Sequence, residues 1–148
     1  MSKIHEIEIS KLKQLDAYDK NTLKEIASKM ILNLQLDIMD FCSCGRQDDI
    51  SFMIRDVLQV INNKTENYDK MNYEMIWEQF DKELIDVLGF DSDNIVFEFI
   101  LHVLNSIGVL EHGSSVYGSW LTDYGKEILC AFEIVGDEIL DVDYWDEA

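Results

Sequence analysis

Apolar residues recur every three or four positions in several stretches of the chain, which is the spacing of one face of an α-helix. The clearest stretch follows Thr22, which forms a capping box with Glu25, and its apolar positions continue to Phe41. The same spacing predicts four further helices, from Asp48 or Asp49 to Ile61, from Asp69 to Leu88, from Ile95 to Ile107, and from Thr122 or Asp123 to Phe132. The chain is therefore predicted to be mainly α-helical.

Glycines and short polar stretches divide these elements. Gly45 is placed to take the left-handed conformation just past a helix end, and Gly89 and Gly108 are each expected to end a helix. Two short apolar runs, at 109–112 and 116–121, flank a Gly-Ser-Ser turn and predict one short β-hairpin.

The polar stretch 62–67 predicts a linker and is the best candidate for a boundary between two parts. These parts are an N-terminal helical part, 1–66, and an acidic C-terminal part, 67–148, which we expect to form one compact domain. The fold class predicted is a helical bundle whose C-terminal part contains the hairpin.

Charge is distributed unevenly along the chain. Its 148 residues include 12 Lys and Arg against 30 Asp and Glu, a net charge of −18. From residue 76 on there are 17 acidic residues, and Lys82 and Lys126 are the two basic ones. Such a surface repels nucleic acid and anionic membranes, and it attracts a basic surface from a distance.

Several features of the sequence predict the cellular compartment of the protein. No uninterrupted apolar stretch of about 18 residues is present, so no membrane span is expected. The first ten residues lack the apolar region of a secretory signal. The three cysteines then favour reduced thiols in the cytoplasm.

The candidates for chemistry are few. Cys42-Ser43-Cys44 lacks the further ligands that a structural zinc site needs. Glu98 and His102 share a helix face and are a possible metal or acid–base pair, but their apolar surroundings favour a buried structural histidine. We predict no catalytic residue, no metal site and no cofactor, and the chain is not expected to be an enzyme.

The acidic end is the most informative part of the sequence for function. Tyr144 and Trp145 lie among carboxylates, which is the composition of a binding hot spot, although both rings are equally compatible with packing back on the domain as a terminal strand. The predicted partner-binding residues are Glu111, Asp123, Asp137, Glu138, Asp141, Asp143, Tyr144, Trp145, Asp146 and Glu147.

Residues 92–132 resemble the winged-helix family. The resemblance rests on Ile107-Gly108-Val109-Leu110, the hairpin, and Leu121-Thr122 followed by Gly125 and Ile128-Leu129. It implies a helix, a two-stranded wing and a second helix, and it assigns DNA reading to the helix from Ile95 to Ile107. That helix is apolar nearly all round and has no Lys or Arg, so we expect it to be buried and to make no direct contact with nucleic acid.

The leading functional hypothesis is a cytoplasmic inhibitor of a basic protein, most simply a toxin nuclease domain. The acidic character is similar to that of small bacterial toxin-immunity proteins. One alternative is a DNA mimic that acts on a DNA-binding protein. Another is a winged-helix transcription regulator, whose basic surface comes from Lys3, Lys11, Lys13, Lys20, Lys24 and Lys29. The oligomeric state is left open.

Overall fold

The computed structural model describes residues 20–42, 48–136 and 139. In this part of the chain, five α-helices are accompanied by one antiparallel pair of short strands. In chain order the elements are α1 (Lys20–Cys42), α2 (Asp48–Glu66), α3 (Tyr73–Leu88), α4 (Ile95–Ser106), β1 (Leu110–Glu111), a 3₁₀ turn (Val116–Gly118), β2 (Trp120–Leu121) and α5 (Asp123–Val135). The prediction of a mainly helical chain with one short hairpin is confirmed.

The chain divides into two compact units. The continuous unit consists of residues 52–125, all of which the structure describes. The discontinuous unit combines the residues up to Ser51 with those from Lys126 on. The limits between the units lie inside α2 and inside α5, whereas the sequence predicts a division between residues 66 and 67. Gly45, the predicted end of α1, lies outside the described residues.

The core of the continuous unit is centred on two phenylalanines. Phe80 of α3 and Phe97 of α4 are both buried and meet edge to face, with ring centroids 5.8 Å apart. This is a preferred geometry for aromatic pairs. The other buried apolar side chains of this unit come from three helices and the hairpin region, namely Ile54, Val57, Leu58, Val60, Ile61, Ile76, Leu84, Leu101, Val103, Leu104, Val109, Leu110 and Leu121.

The predicted linker at 62–67 is wrong, because α2 continues to Glu66. Polar side chains pair along the helix surface, where Gln59 Nε2 donates to Asn63 Oδ1 at 3.0 Å and Asn62 Nδ2 donates to Glu66 Oε1 at 3.2 Å. Pairs spaced by four residues stabilise a helix by about 0.2–0.5 kcal/mol each. Residues that favour turns in isolation are thus held in helical conformation by one another.

Helix α3 begins later than predicted, at Tyr73 rather than at Asp69. Asn72 is the N-cap, and its Oδ1 accepts a hydrogen bond from the backbone N–H of Met75 at 2.9 Å. The end of α3 is as predicted, since Gly89 takes the left-handed conformation with φ +85° directly after Leu88.

The hairpin is shorter than the prediction. Only two residues in each strand pair, with Leu110 opposite Leu121. The first half of the predicted second strand is wrong, because Val116–Gly118 form a 3₁₀ turn. Ser115 Oγ accepts the backbone N–H of Tyr117 at 3.2 Å, and this local bond competes with strand pairing.

Thr122 connects the hairpin to the start of α5. Its Oγ1 donates to the carbonyl oxygen of Gly108 at 2.6 Å and accepts the backbone N–H of Gly125 at 3.0 Å, so it caps the helix. A Cβ atom at Gly125 would collide with the carbonyl oxygen of Val109. The Thr-x-x-Gly spacing therefore has two physical causes, a side-chain cap and a close backbone approach.

In the discontinuous unit, the middle of α1 is buried on all sides, since every residue from Met30 to Gln35 is buried. Gln35 on this helix donates from Nε2 to Ser51 Oγ at 2.9 Å, and both side chains are buried. The buried apolar residues of this unit are Ala27, Met30, Ile31, Leu32, Leu34 and Ile38 on α1, and Ile128, Ala131, Phe132 and Val135 on α5.

Candidate functional site

One side of α4 carries large apolar side chains that the fold leaves exposed. Ile95 is 76% exposed, Phe99 is 56% exposed and Val96 is 49% exposed. His102 and Ser106 are also exposed and continue this side toward the end of the helix, since residues three and four apart share a helix face. We call these five residues the α4 face.

The opposite side of α4 supplies the core. Phe97, Leu101 and Leu104 are all buried there. The prediction that this helix is buried all round is therefore wrong for the α4 face, and the expectation of a buried His102 is wrong as well. An apolar side chain is suited to burial. The sequence alone does not show whether it is buried in the core of its own chain or left exposed.

The α4 face lies in a stretch that has no basic residue. From Glu83 to Gly125 the chain has seven acidic residues and no Lys or Arg. Asp91 and Asp93 come directly before the helix, and Glu98 lies on α4 itself. These carboxylates make the local potential negative, so this part of the continuous unit attracts cations and repels phosphates.

The two strands present a tryptophan in a fixed orientation. Trp120 is 39% exposed and lies opposite Glu111 in the strand pair. Its Nε1–H donates to Glu111 Oε1 at 2.8 Å, a charge-assisted hydrogen bond that restrains both side chains. The indole N–H of Trp120 would therefore keep its hydrogen bond when a partner covers the ring.

Asn105 joins α4 to the hairpin through a hydrogen-bond network. Its Nδ2 donates to the carbonyl oxygen of Leu101 at 2.8 Å and to Ser119 Oγ at 3.1 Å. Its Oδ1 lies 2.8 Å from Nδ1 of His112. Ser119 Oγ in turn donates to the carbonyl oxygen of Val116 at 2.5 Å. The network holds His112, an exposed residue, beside the C-terminal part of α4.

Two of the predicted partner-binding residues lie within the described chain. Glu111 is exposed and is restrained by Trp120, whereas Asp123 is exposed in the first turn of α5. The other eight lie outside the described residues, namely Asp137, Glu138, Asp141, Asp143, Tyr144, Trp145, Asp146 and Glu147.

Most of this surface was not predicted from the sequence. A signal for the α4 face was present, because His102 and Ser106 follow Phe99 at helical spacing and mark that side as exposed. No local pattern signals the contact between Asn105 and His112, since it crosses the turn that ends α4.

Lys64 of α2 is a second unusual group, because it is only 2% exposed. Its Nζ lies 4.7 Å from the ring centroid of Trp77 and 4.5 Å from that of Phe80, and it donates to the carbonyl oxygen of Tyr117 at 2.9 Å. Burial lowers the pKa of Lys64 from 10.5 to about 8. Since this amine is closed off from solvent, it ties structural elements together rather than presenting a nucleophile to a substrate.

The described residues contain no group of three or more His, Cys, Asp and Glu side chains arranged to hold a metal ion. Among the same residues, no helix is long and apolar enough to cross a membrane.

Comparisons with protein-family models, with curated proteins and with solved structures return no match. The winged-helix resemblance of residues 92–132 therefore stays a prediction, and function has to be inferred from the chemistry of the surface.

Proposed function

We propose that this protein binds a basic protein and inhibits it, with the α4 face and the hairpin as the docking surface. The observation that carries the proposal is the exposure of Ile95 and Phe99 within a stretch of seven acidic residues and no basic one. The proposal assigns the protein a binding role in the cytoplasm and no catalytic step.

Burial of the apolar residues of the α4 face would stabilise a complex. Covering Ile95, Val96 and Phe99 removes apolar surface from water, which is worth about 25 cal/mol per Å². Protein interfaces place such residues at their centre and surround them with polar groups. Trp120 adds a residue type that is enriched at binding hot spots, and its hydrogen bond to Glu111 restrains it before binding.

The charge of this surface selects the partner. A phosphate backbone is bound through clustered Lys and Arg, and between Glu83 and Gly125 neither is present. A basic protein surface meets carboxylates throughout this stretch. We therefore expect fast association that weakens as salt is added, because exposed charges attract over distances that salt screens.

A toxin nuclease domain is the partner that we favour. A nuclease must present a basic surface to the phosphates of its substrate, and an acidic inhibitor that covers this surface blocks access to the active site. In this mechanism Tyr144 and Trp145 of the acidic end act as additional anchors, and Asp141 and Asp143 pair with basic residues. A DNA-binding protein that is covered in the same way is the second target of this kind.

One observation favours a different function. The order of α4, hairpin and α5 is the order that the winged-helix resemblance implies. A winged-helix regulator would bind DNA, with a basic surface drawn from the lysines of the first thirty residues. Retardation of duplex DNA by the purified protein in a low-salt gel-shift assay would favour this function, and free migration of the DNA would remove it.

Affinity capture from the native host tests the proposal. The full-length protein is immobilised, the lysate is applied at low salt, and bound proteins are eluted with a salt gradient and identified by mass spectrometry. We expect one basic protein in stoichiometric amount. A matched variant with Asp141, Asp143 and Asp146 changed to Lys tests the acidic end, and we expect it to release the partner at lower salt.

Three results would count against the proposal. The first is elution of nucleic acid instead of protein. The second is that no captured protein is released by the salt gradient. The third is an acidic partner. Equal retention by the charge-reversed variant would remove the acidic end from the interface and leave the α4 face and the hairpin as the docking surface.

A further inference from the structure

The orientation of the Asn105 side chain is fixed by a group that can only accept. Its amide lies 2.8 Å from the carbonyl oxygen of Leu101. Because a carbonyl oxygen has no proton to donate, the atom of Asn105 that faces it must be the donating Nδ2. The other end of the amide, Oδ1, is therefore the atom that faces His112.

Ser119 supports the same orientation. Its hydroxyl proton is directed to the carbonyl oxygen of Val116 at 2.5 Å, so Ser119 Oγ can only accept from Asn105. Both neighbours of the amide nitrogen, Leu101 and Ser119, thus require a donor at that position.

The protonation of His112 follows from this geometry. Asn105 Oδ1 accepts, so His112 Nδ1, at 2.8 Å from it, must carry a proton. When the imidazole is neutral, its single proton is then on Nδ1, and Nε2 is left as an acceptor. His112 is exposed, and within the continuous unit Nε2 has no hydrogen-bond partner.

We propose that His112 is a polar recognition point of the docking surface, at which Nε2 accepts a hydrogen bond from a Lys or Arg side chain of the partner, and that Asn105 is the residue that positions it. This inference rests on the proposed function for the partner. The hydrogen bond to Asn105 holds the ring before binding, so less side-chain freedom is lost in the complex.

The surroundings favour a cationic donor. No Lys or Arg of this chain lies between Glu83 and Gly125, so His112 has no basic neighbour along this part of the chain. Glu111 directly precedes His112 and adds a negative charge on the hairpin. A Lys or Arg side chain of the partner that approaches His112 thus enters a negative field, and a hydrogen bond to Nε2 would give this long-range attraction a direction.

The tautomer is tested first on the protein alone. In the full-length protein labelled with ¹⁵N-histidine, nitrogen spectra above neutral pH distinguish the Nδ1–H form from the Nε2–H form. We expect the Nδ1–H form for His112 in the wild type and in Ser119→Ala, where Leu101 still orients the amide. Asn105→Ala removes the acceptor, and we expect the two forms to mix. A predominant Nε2–H form in the wild type would overturn the inference.

The contact is then tested with a defined probe, a synthetic amphipathic helix of Leu and Lys residues. We expect the Nε2 resonance of His112 to shift as the peptide is added, and His112→Leu to weaken binding about tenfold, as for loss of one hydrogen bond to a charged group. The same peptide with Glu in place of Lys should cause no shift.

The outcomes separate the two claims. If the peptide binds and His112→Leu binds it equally well, His112 is not a recognition point, and the proposed function is unaffected. If the peptide does not bind the wild type at all, the assignments of the recognition point and of the docking surface are both wrong. If the tautomer is mixed in the wild type, the positioning role of Asn105 is wrong whatever the peptide does.

Discussion

Lys64 donates a hydrogen bond from its buried amine to the backbone carbonyl of Tyr117 over 2.9 Å, and this contact joins α2 to the 3₁₀ turn of the hairpin. The amine also lies over the rings of Trp77 and Phe80. No carboxylate of the continuous unit forms an ion pair with it. A cation buried without a counterion is disfavoured, which is why the pKa of Lys64 is lowered to about 8.

The stability of the protein should therefore rise in alkaline solution through Lys64. Below pH 8 both the folded and the unfolded chain carry this proton. Between pH 8 and 10.5 the folded chain has released the proton while the unfolded chain still binds it, so the free energy of unfolding increases with pH. The full shift corresponds to about 3 kcal/mol.

Lys64→Met is the matched control, because methionine keeps an unbranched side chain over the two rings and does not titrate. Urea unfolding of both proteins at pH 7 and at pH 9.5 measures the difference between them. We expect the wild type to gain stability relative to the variant over this range. A difference that stays constant with pH would show that the lysine is not buried as a cation.

Truncation of two nearby phenylalanines on α4 should have very different effects on stability. Phe97 is buried against Phe80, so Phe97→Ala should cost about 3–5 kcal/mol. Phe99 is 56% exposed, so Phe99→Ala should change the free energy of unfolding by less than about 0.5 kcal/mol. Chemical denaturation of the two variants checks this, and similar losses in both would contradict the exposed α4 face.

Gly125 should tolerate no side chain, because a Cβ atom would collide with the carbonyl oxygen of Val109. We expect Gly125→Ala to cost about 1–3 kcal/mol, as for overpacking of a tight contact. Gly113 in the hairpin turn has open space around it, so Gly113→Ala is the control and should be nearly neutral. Thermal unfolding compares the two, and an equal effect would mean that α5 does not approach Val109 closely.

Much of the fold could be predicted from local sequence signals. Gly89 ends α3 as expected, Thr122 caps α5, and the apolar spacing located all five helices. These features depend on groups within a few residues of one another, which is the range over which a sequence pattern is informative. The predicted linker failed because the amide pairs of α2, such as that of Asn62 with Glu66, stabilise a helix in a stretch that also suits a turn.

The candidate site was harder to predict, because exposure depends on contacts that are distant in the sequence. Ile95 and Phe97 are both apolar, and only the fold shows that Phe97 packs on Phe80 while Ile95 faces solvent. The burial of Lys64 likewise depends on Trp77 and Tyr117, which are remote from it along the chain. The net negative charge of the stretch from Glu83 to Gly125, by contrast, follows from the sequence alone.

The most direct test of the account is a comparison of three proteins in the affinity capture of a basic partner. Phe99→Asp places a charge in the α4 face, whereas Met75→Asp places the same charge at a residue of similar exposure, 50%, in the first turn of α3. We expect the wild type and Met75→Asp to retain the same basic protein equally, and Phe99→Asp to retain it at least about tenfold less tightly. Equal retention by all three proteins would contradict the assignment of the α4 face as the docking surface.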